Sequence, residues 1–339
     1  MPYRTSTVEH RGSGVTMTTP LLVPSFSSKG FEMLEDSGRS EAGEILKATS
    51  EFLTEVFLIS AYDIYYGHVP HPLDLERTPN LVVVDSGGYE ILDGCDYSTV
   101  MVPRYDCEPW TLENLESVYN EWPRHIPAVF VSFDHPDVRK PFADQVADAE
   151  ELFRTRCQHL TLLLLKPESS EQYTLDGTID SVVEDAAQLG SFDIVGVTEK
   201  ELGQTMSSRM LQITRLRLAM DDAGVRSPLH IFGALDPLSV SLYFIAGAEI
   251  FDGLTWLRYA YKDGVCIYRH NMGVLKYGLH MPDNHLECQI WRDNCNTLQS
   301  LQRRMCNFEA TRNFGMLKPH AELLSNAYDF LKKEFGGRI

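Results

Sequence analysis

Leu81-Val82-Val83-Val84-Asp85-Ser86-Gly87-Gly88 is the stretch from which the rest of the chain can be read. Its four leading residues are apolar strand formers with no polar face, the mark of a strand covered on both sides in a parallel sheet flanked by helices. Leu162-Leu163-Leu164-Leu165 repeats the pattern. Outward from these two, further apolar runs occupy residues 20–26, 55–62, 128–133, 192–197, 229–233 and 249–256, so that with 81–84 and 160–165 the chain holds eight. Amphipathic stretches lie between them, among them 111–121, 142–156, 171–189 and 199–222. The last crossover opens on Asp236-Pro237 and ends at Gly247, an N-cap with proline in the first turn and a glycine stop. Eight strands with helical returns predict an α/β fold, a closed (β/α)8 barrel, rather than an open sheet.

Two pieces stand outside this alternation. Residues 32–44, rich in acid, Ser and Gly, read as an exposed loop or a loose helix start. From 265 to 307, clustered Cys, His, Asn and Trp break the pattern, and an amphipathic helix over 320–335 follows. The division expected is a barrel core at 1–264, an irregular subdomain at 265–319 and a closing helix at 320–339.

The 339 residues suit one decorated barrel. No apolar run approaches the roughly 20 residues needed to span a bilayer. The opening Met-Pro-Tyr-Arg-Thr-Ser lacks a secretory apolar stretch, and the seven cysteines include no CxxC pair, so a reducing cytoplasm is expected. With 30 basic against 48 acidic side chains the formal charge is −18, which opposes indiscriminate binding to polyanions. A nucleic-acid partner would need a local basic patch.

In (β/α)8 enzymes the reaction site lies where the strands end, because each delivers its last side chain to the same face. Here those ends carry Asp85, Asp134-His135-Pro136, Lys166-Pro167-Glu168 and Thr198-Glu199, while Asp252 lies inside an apolar strand, Ile250-Phe251-Asp252-Gly253-Leu254. A lone Asp after an apolar run is ordinarily a helix cap. Several converging on one mouth are a site, and a carboxylate within an apolar strand demands a partner or a function. Two carboxylates facing one pocket can divide a displacement at a sugar carbon, one as nucleophile and one as proton donor and acceptor. His135 reads as a packing neighbour, and Trp256, Tyr259 and Tyr261 as lining of the barrel rim.

Asp85-Ser86-Gly87-Gly88-Tyr89-Glu90 and Phe251-Asp252 together resemble the tRNA-guanine transglycosylases (queuine and archaeosine tRNA-ribosyltransferases), whose barrel carries a DSGGFQ-like turn and a late FD nucleophile motif. Thr19-Pro20-Leu21-Leu22-Val23-Pro24 is similar to the family's opening strand, and the resemblance runs from there to the final helix. It implies base exchange: Asp252 attacks the anomeric carbon of a guanosine, guanine departs, and a 7-deazaguanine base displaces the enzyme from a covalent glycosyl-aspartate. Asp85 would be the general acid/base. Ser86, Gly87, Tyr89, Asp134, Lys166, Gly196 and Val197 would bind the base, with Asp134 reading its N–H edge, Gly196 offering backbone and Val197 packing on it. Arg258 would contact nucleic acid beside the target nucleotide. The target must be flipped out to reach such a mouth.

This sequence departs from the family at three places. Lys166 stands for the glutamine ending the fifth strand, and Glu90 for the glutamine of the Gly-Gly turn. Lys166 is open to two readings, a donor to a purine carbonyl or a buried ion pair with Asp134 or Glu90. The family's zinc cluster is not spelled out. Cys288, Cys295 and Cys306, with His285 and His320, occupy that region at spacings unlike a zinc knuckle, and Ser325-Asn326 falls where the ligand histidine is expected. No cofactor is therefore expected, the cysteines reading as small buried apolar residues.

Since that region is also the family's nucleic-acid dock, the acceptor stays open between tRNA and DNA, the latter served by DpdA-like relatives that insert 7-deazaguanine into DNA. Two further readings stand beside transglycosylation. One is an N-glycosidase acting on a free modified nucleoside, decided by whether Arg258, Lys262, Arg269, Lys276, Arg303 and Arg304 form a stripe. The other is a non-catalytic partner subunit. The resemblance also implies a homodimer or a partner protein.

Overall fold

The eight apolar runs form eight parallel strands that close on themselves. The computed structural model describes residues 2–36, 38–91, 107–156, 158–169 and 171–339. After a short antiparallel hairpin, β1 (Thr7–Glu9) and β2 (Thr16–Thr18), come the barrel strands. These are β3 (Leu21–Phe26), β4 (Val56–Ser60), β5 (Leu81–Asp85), β6 (Ala128–Val131), β7 (Leu160–Leu165), β8 (Ile194–Thr198), β9 (Leu229–Phe232) and β10 (Ile250–Gly253). Each pairs with the next, and β10 pairs with β3 in parallel, Asp252 opposite Val23, which closes the barrel.

Residues alternate in and out along each strand, and this decides what the barrel contains. Leu21, Val23, Leu58, Leu81, Val83, Leu162, Leu164, Ile194 and Ile250 pack together inside. Leu22, Ile59, Val82, Val84, Leu163, Val195, Val197 and Phe251 pack outward beneath the helices. Each such side chain removed from water contributes about 1.5–3 kcal/mol. At the upper end the same inward period reaches Ser25 after Val23, Ser60 after Leu58, Asp85 after Val83, Lys166 after Leu164 and Asp252 after Ile250. A hydrocarbon filling therefore gives way to a polar layer within one turn of the pleat. At the opposite end Val8 and Met17, from the hairpin, join the inner cluster and close it.

Helices α1 (Glu41–Thr49), α2 (Ala61–Tyr65), α3 (Leu112–Glu121), α4 (Phe142–Phe153), α5 (Asp176–Glu184), α6 (Met206–Asp222), α7 (Pro237–Ala246) and α8 (Thr255–Arg258) follow successive strands. Their caps are written locally. Thr111 with Asn114 and Thr205 with Ser208 form capping boxes, and Asp236 accepts from Leu238 N and Ser239 N at the start of α7. Within 32–44 the helix begins at Glu41, capped by Ser40, with Glu41 and Glu44 favourably placed at its positive end.

Residues 265–319 are not irregular. A hairpin of β11 (Ala260–Lys262) and β12 (Val265–Ile267) straddles position 264, so the boundary expected there cuts a paired element. Next come α9 (Arg269–Tyr277) and α10 (Asp283–Thr311), a helix of 29 residues, and the chain closes with α11 (Ala321–Phe335). Helix α10 buries Leu286, Ile290, Cys295, Leu298, Leu301, Met305 and Phe308 along one stripe. Its buried Asn294 accepts from Tyr261 N and donates to the carbonyls of Trp256 and Tyr259, all at 2.7–2.8 Å. That side chain ties α10 to the segment following Asp252. No helix among the described residues is long and apolar enough to cross a membrane.

Candidate active site

The polar layer lines a cavity of about 750 Å³ at the C-terminal ends of the strands. Ser25, Ser60, Asp85, Ser86, Gly88, Tyr89, Glu90, Asp134, Lys166, Asp252 and Arg258 all reach it, over a floor of Leu58, Leu164 and Phe232. Seven of the ten residues expected from sequence to carry chemistry or bind substrate thus share one wall: Asp85, Ser86, Tyr89, Asp134, Lys166, Asp252 and Arg258.

Asp252 is buried, and three donors hold its carboxylate. Oδ2 accepts from Ser25 Oγ at 2.7 Å, and Oδ1 from His230 Nε2 at 3.0 Å and Gly233 N at 3.3 Å. All three come from strands flanking β10 or the turn after one of them. Trp256, fully buried rather than at the rim, donates its Nε1 to Ser25 O at 3.1 Å and so fixes the end of β3 that presents the hydroxyl.

Asp85 sits in a different environment. Burial, and then the charge of Asp252, push its carboxyl up to about 7, against the lowering effect of the Ser86 amide. The two Asp residues are therefore close enough to sense each other's charge, while their partners differ.

The glycines after Asp85 explain the turn. Gly87 has φ +90, and a Cβ there would lie 2.7 Å from Trp110 Nε1, which donates to Ser86 O at 2.8 Å. A Cβ on Gly88 would lie 2.6 Å from Asp134 O and 2.9 Å from its Oδ2. The turn is thus pressed against the end of β6, carrying Tyr89 and Glu90 over the cavity. Glu90 is buried, accepting from Ser27 Oγ at 2.5 Å and Ser60 Oγ at 2.7 Å. Burial first, then the charges of Asp63 and Asp85, push it up to about 8 despite those hydroxyls. Above the turn, Arg258 Nη2 lies 3.3 Å from Lys29 O and 3.5 Å from the Tyr89 hydroxyl, and Lys29 Nζ donates to Tyr89 O at 2.8 Å.

Lys166 is an ion-pair member. Its Nζ lies 3.1 Å from Asp134 Oδ2, 3.2 Å from both oxygens of Glu201 and 3.0 Å from Thr198 Oγ1. Arg139 Nη1 takes Asp134 Oδ1 at 2.8 Å. Burial alone would raise Asp134, but Lys166 and Arg139 outweigh it and hold the carboxyl below its usual range. Burial would likewise lower Lys166, but Asp134 and Glu201 raise it. Of the two partners expected for Lys166, Asp134 is met and Glu90 is not; Glu201 takes that place.

Two residues expected to bind the base, Val197 and Gly196, are not among those lining the cavity. Val197 points outward into the core under the helices and does not line the cavity. Gly196 points inward, but the Phe232 ring occupies the space a Cβ would take, 2.7 Å away, so this glycine makes room for Phe232. Gly87 is likewise filled by Trp110. The zinc candidates do not come together. Cys288, Cys295 and Cys306 all lie on α10, where a rise of 1.5 Å per residue separates the outer two by about 27 Å. Burial pushes the Cys295 thiol up to about 12, and among the described residues no His, Cys, Asp and Glu cluster could hold a metal. Cys95 and Cys157 lie outside the described residues.

Three of the six basic residues expected to form a stripe are engaged with acids. Lys262 pairs with Asp263 at 2.9 Å, Arg269 with Glu287 at 2.6 Å and Lys276 with Asp293 at 2.5 Å. Sequence reasoning missed His230, Ser25, Arg139 and Glu201. The first two were accessible by counting twos along β9 from Phe232 and along β3 from Val23. No protein-family model matches the chain, and no curated protein matches it in sequence.

Proposed function

We propose that this protein exchanges the base of an N-glycoside through a covalent glycosyl-aspartate at Asp252, with Asp85 as general acid and base. The observation that carries this is the unlike pair of carboxylates lining one cavity: Asp252 held by three donors, and Asp85 raised to about 7 beside it. Environments that separate two carboxyls in this way suit one to attack and the other to carry the proton. Asp252 displaces the departing base, which takes its proton from Asp85; the arriving base returns a proton to Asp85 as it displaces Asp252.

The substrate that fits best with the turn 85–90 and Phe251-Asp252, by their resemblance to the tRNA-guanine transglycosylases, is guanine in tRNA or DNA, replaced by a 7-deazaguanine. Asp134 is the group for the N–H edge of the base, and its ties to Lys166 and Arg139 keep it an acceptor. Labelled guanine should enter bulk tRNA or DNA with wild-type protein and not with Asp252→Ala. No incorporation into either polymer overturns the polymer reading.

The paired state of Lys262, Arg269 and Lys276 favours a second reading, a free modified nucleoside as substrate. Release of base from nucleosides, with polymers inert, would establish it.

A further inference from the structure

His230 is a fully buried imidazole in the middle of β9, and its surroundings are not those of a packing residue. Its ring stacks on Phe232 with centroids 4.0 Å apart and planes 23° from parallel. Nε2 meets Oδ1 of Asp252 at 3.0 Å, while Nδ1 has no hydrogen-bond partner among the described residues. Protonating Nδ1 would bury an N–H without an acceptor. Moving the proton off Nε2 would set its lone pair against the carboxylate. The ring is thus set to give one N–H to Oδ1. A position of purely structural purpose, stacked on Phe232, would take a hydrocarbon ring and leave no buried nitrogen unpaired.

We infer that His230 is a positioning residue: with the Gly233 amide it makes Oδ1 the held oxygen of Asp252 and leaves Oδ2 to bond the anomeric carbon. The assignment rests on the base-exchange reading. Oδ1 takes two donors fixed by strand and backbone, whereas Oδ2 takes one, the Ser25 hydroxyl, which can rotate about its own Cβ–Oγ bond. An Oδ2 lone pair forms the bond to the anomeric carbon as the carbon–nitrogen bond breaks; its electron pair leaves on the base, which takes the Asp85 proton. Oδ1 becomes the ester carbonyl. In the second half the arriving base's nitrogen lone pair forms the new bond and its proton passes to Asp85. The carbon–Oδ2 pair returns to the carboxylate, whose charge spreads onto Oδ1 and meets the His230 and Gly233 donors.

Charge leaves Asp252 when the ester forms and returns when it breaks, so His230 favours breakdown over formation. His230→Phe should lower steady-state turnover on the order of 10²-fold. The covalent adduct at Asp252, read by intact mass during turnover, should rise in occupancy, and KM for the glycosidic substrate should fall with it. His230→Gln, whose amide can donate to Oδ1, should recover most of the rate. A His230→Phe enzyme with unchanged turnover, or one slowed with less adduct than wild type, overturns the inference while leaving base exchange standing. Absence of exchange and of adduct in wild type overturns both. Should the Phe variant not fold, nitrogen-15 spectra of the wild-type imidazole decide: a proton on Nε2 is the expected tautomer, and a proton on Nδ1 overturns the assignment.

Discussion

Nζ of Lys166 lies 3.1 Å from Oδ2 of Asp134 and 3.2 Å from both oxygens of Glu201, so one ammonium joins the chain after β6, the end of β7 and the turn after β8. Removing it leaves two buried carboxylates, one with Arg139 alone. Breaking a buried pair on one side typically costs about 3–5 kcal/mol. Lys166→Met should therefore lower unfolding free energy by about 3 kcal/mol in urea at pH 7, and loss below about 1 kcal/mol would show the pair to be solvent-relaxed.

Asp85 gives a pH dependence whose sign is fixed by its environment. Its carboxyl titrates near 7 in the folded chain and near the usual value of about 3.9 when unfolded. Between these values the folded state holds the extra proton, so stability falls as pH rises from about 4 to 7 and stays low above. Asp85→Asn removes that loss. Thermal melts at pH 8 should show the variant more stable than wild type, and melts at pH 4 should show no such gain. Its exchange activity should be lost.

Glu90 repeats the effect at higher pH, being raised to about 8 by burial and by Asp63 and Asp85. Glu90→Gln keeps the shape, accepts from one serine through its oxygen, can donate its NH2 to the other, and carries no titrating proton. The expected outcome is equal stability to wild type below pH 4 and a higher melting temperature at pH 9. A melting curve that shifts equally at both ends would mean that packing, not the proton, decides.

Gly88→Ala probes the contact between the turn and β6. The added methyl would meet Asp134 O at 2.6 Å and Oδ2 at 2.9 Å, and neither backbone nor an ion-paired carboxylate yields readily. Overpacking of this kind costs about 1–3 kcal/mol. Chemical denaturation should find a loss in that range, together with reduced base exchange, because the displaced Asp134 belongs to the cavity wall.

The barrel was legible because its signal is local. Short unbroken runs such as Leu81–Val84, rich in β-branched residues and bounded by turn residues, read as strands covered on two faces, and eight apolar runs leave few arrangements. Asp85 was legible as a strand end and Asp252 as a carboxylate inside an apolar strand, and the pleat turns both into the barrel mouth. What was not legible depends on register between strands. That His230 and Ser25 flank Asp252 follows from how β9 and β3 pair with β10. Glu201 lies beyond its strand, where no period reaches. Val197 was carried over from the resemblance, whereas the pleat sends it to the face opposite Gly196 and into the core under the helices. In 265–319 the spacing of Leu286, Ile290, Leu298, Leu301, Met305 and Phe308 is helical, with cysteines and polar residues interspersed among these apolar positions.

The hairpin of β1 and β2 closes the lower end of the barrel with Val8 and Met17, so the cavity has its opening on the upper face. A departing base must then leave by the route its successor enters. Under base exchange the two bases take turns, each a competitor of the other for the glycosylated enzyme, and initial-rate plots at varied incoming base should be parallel lines.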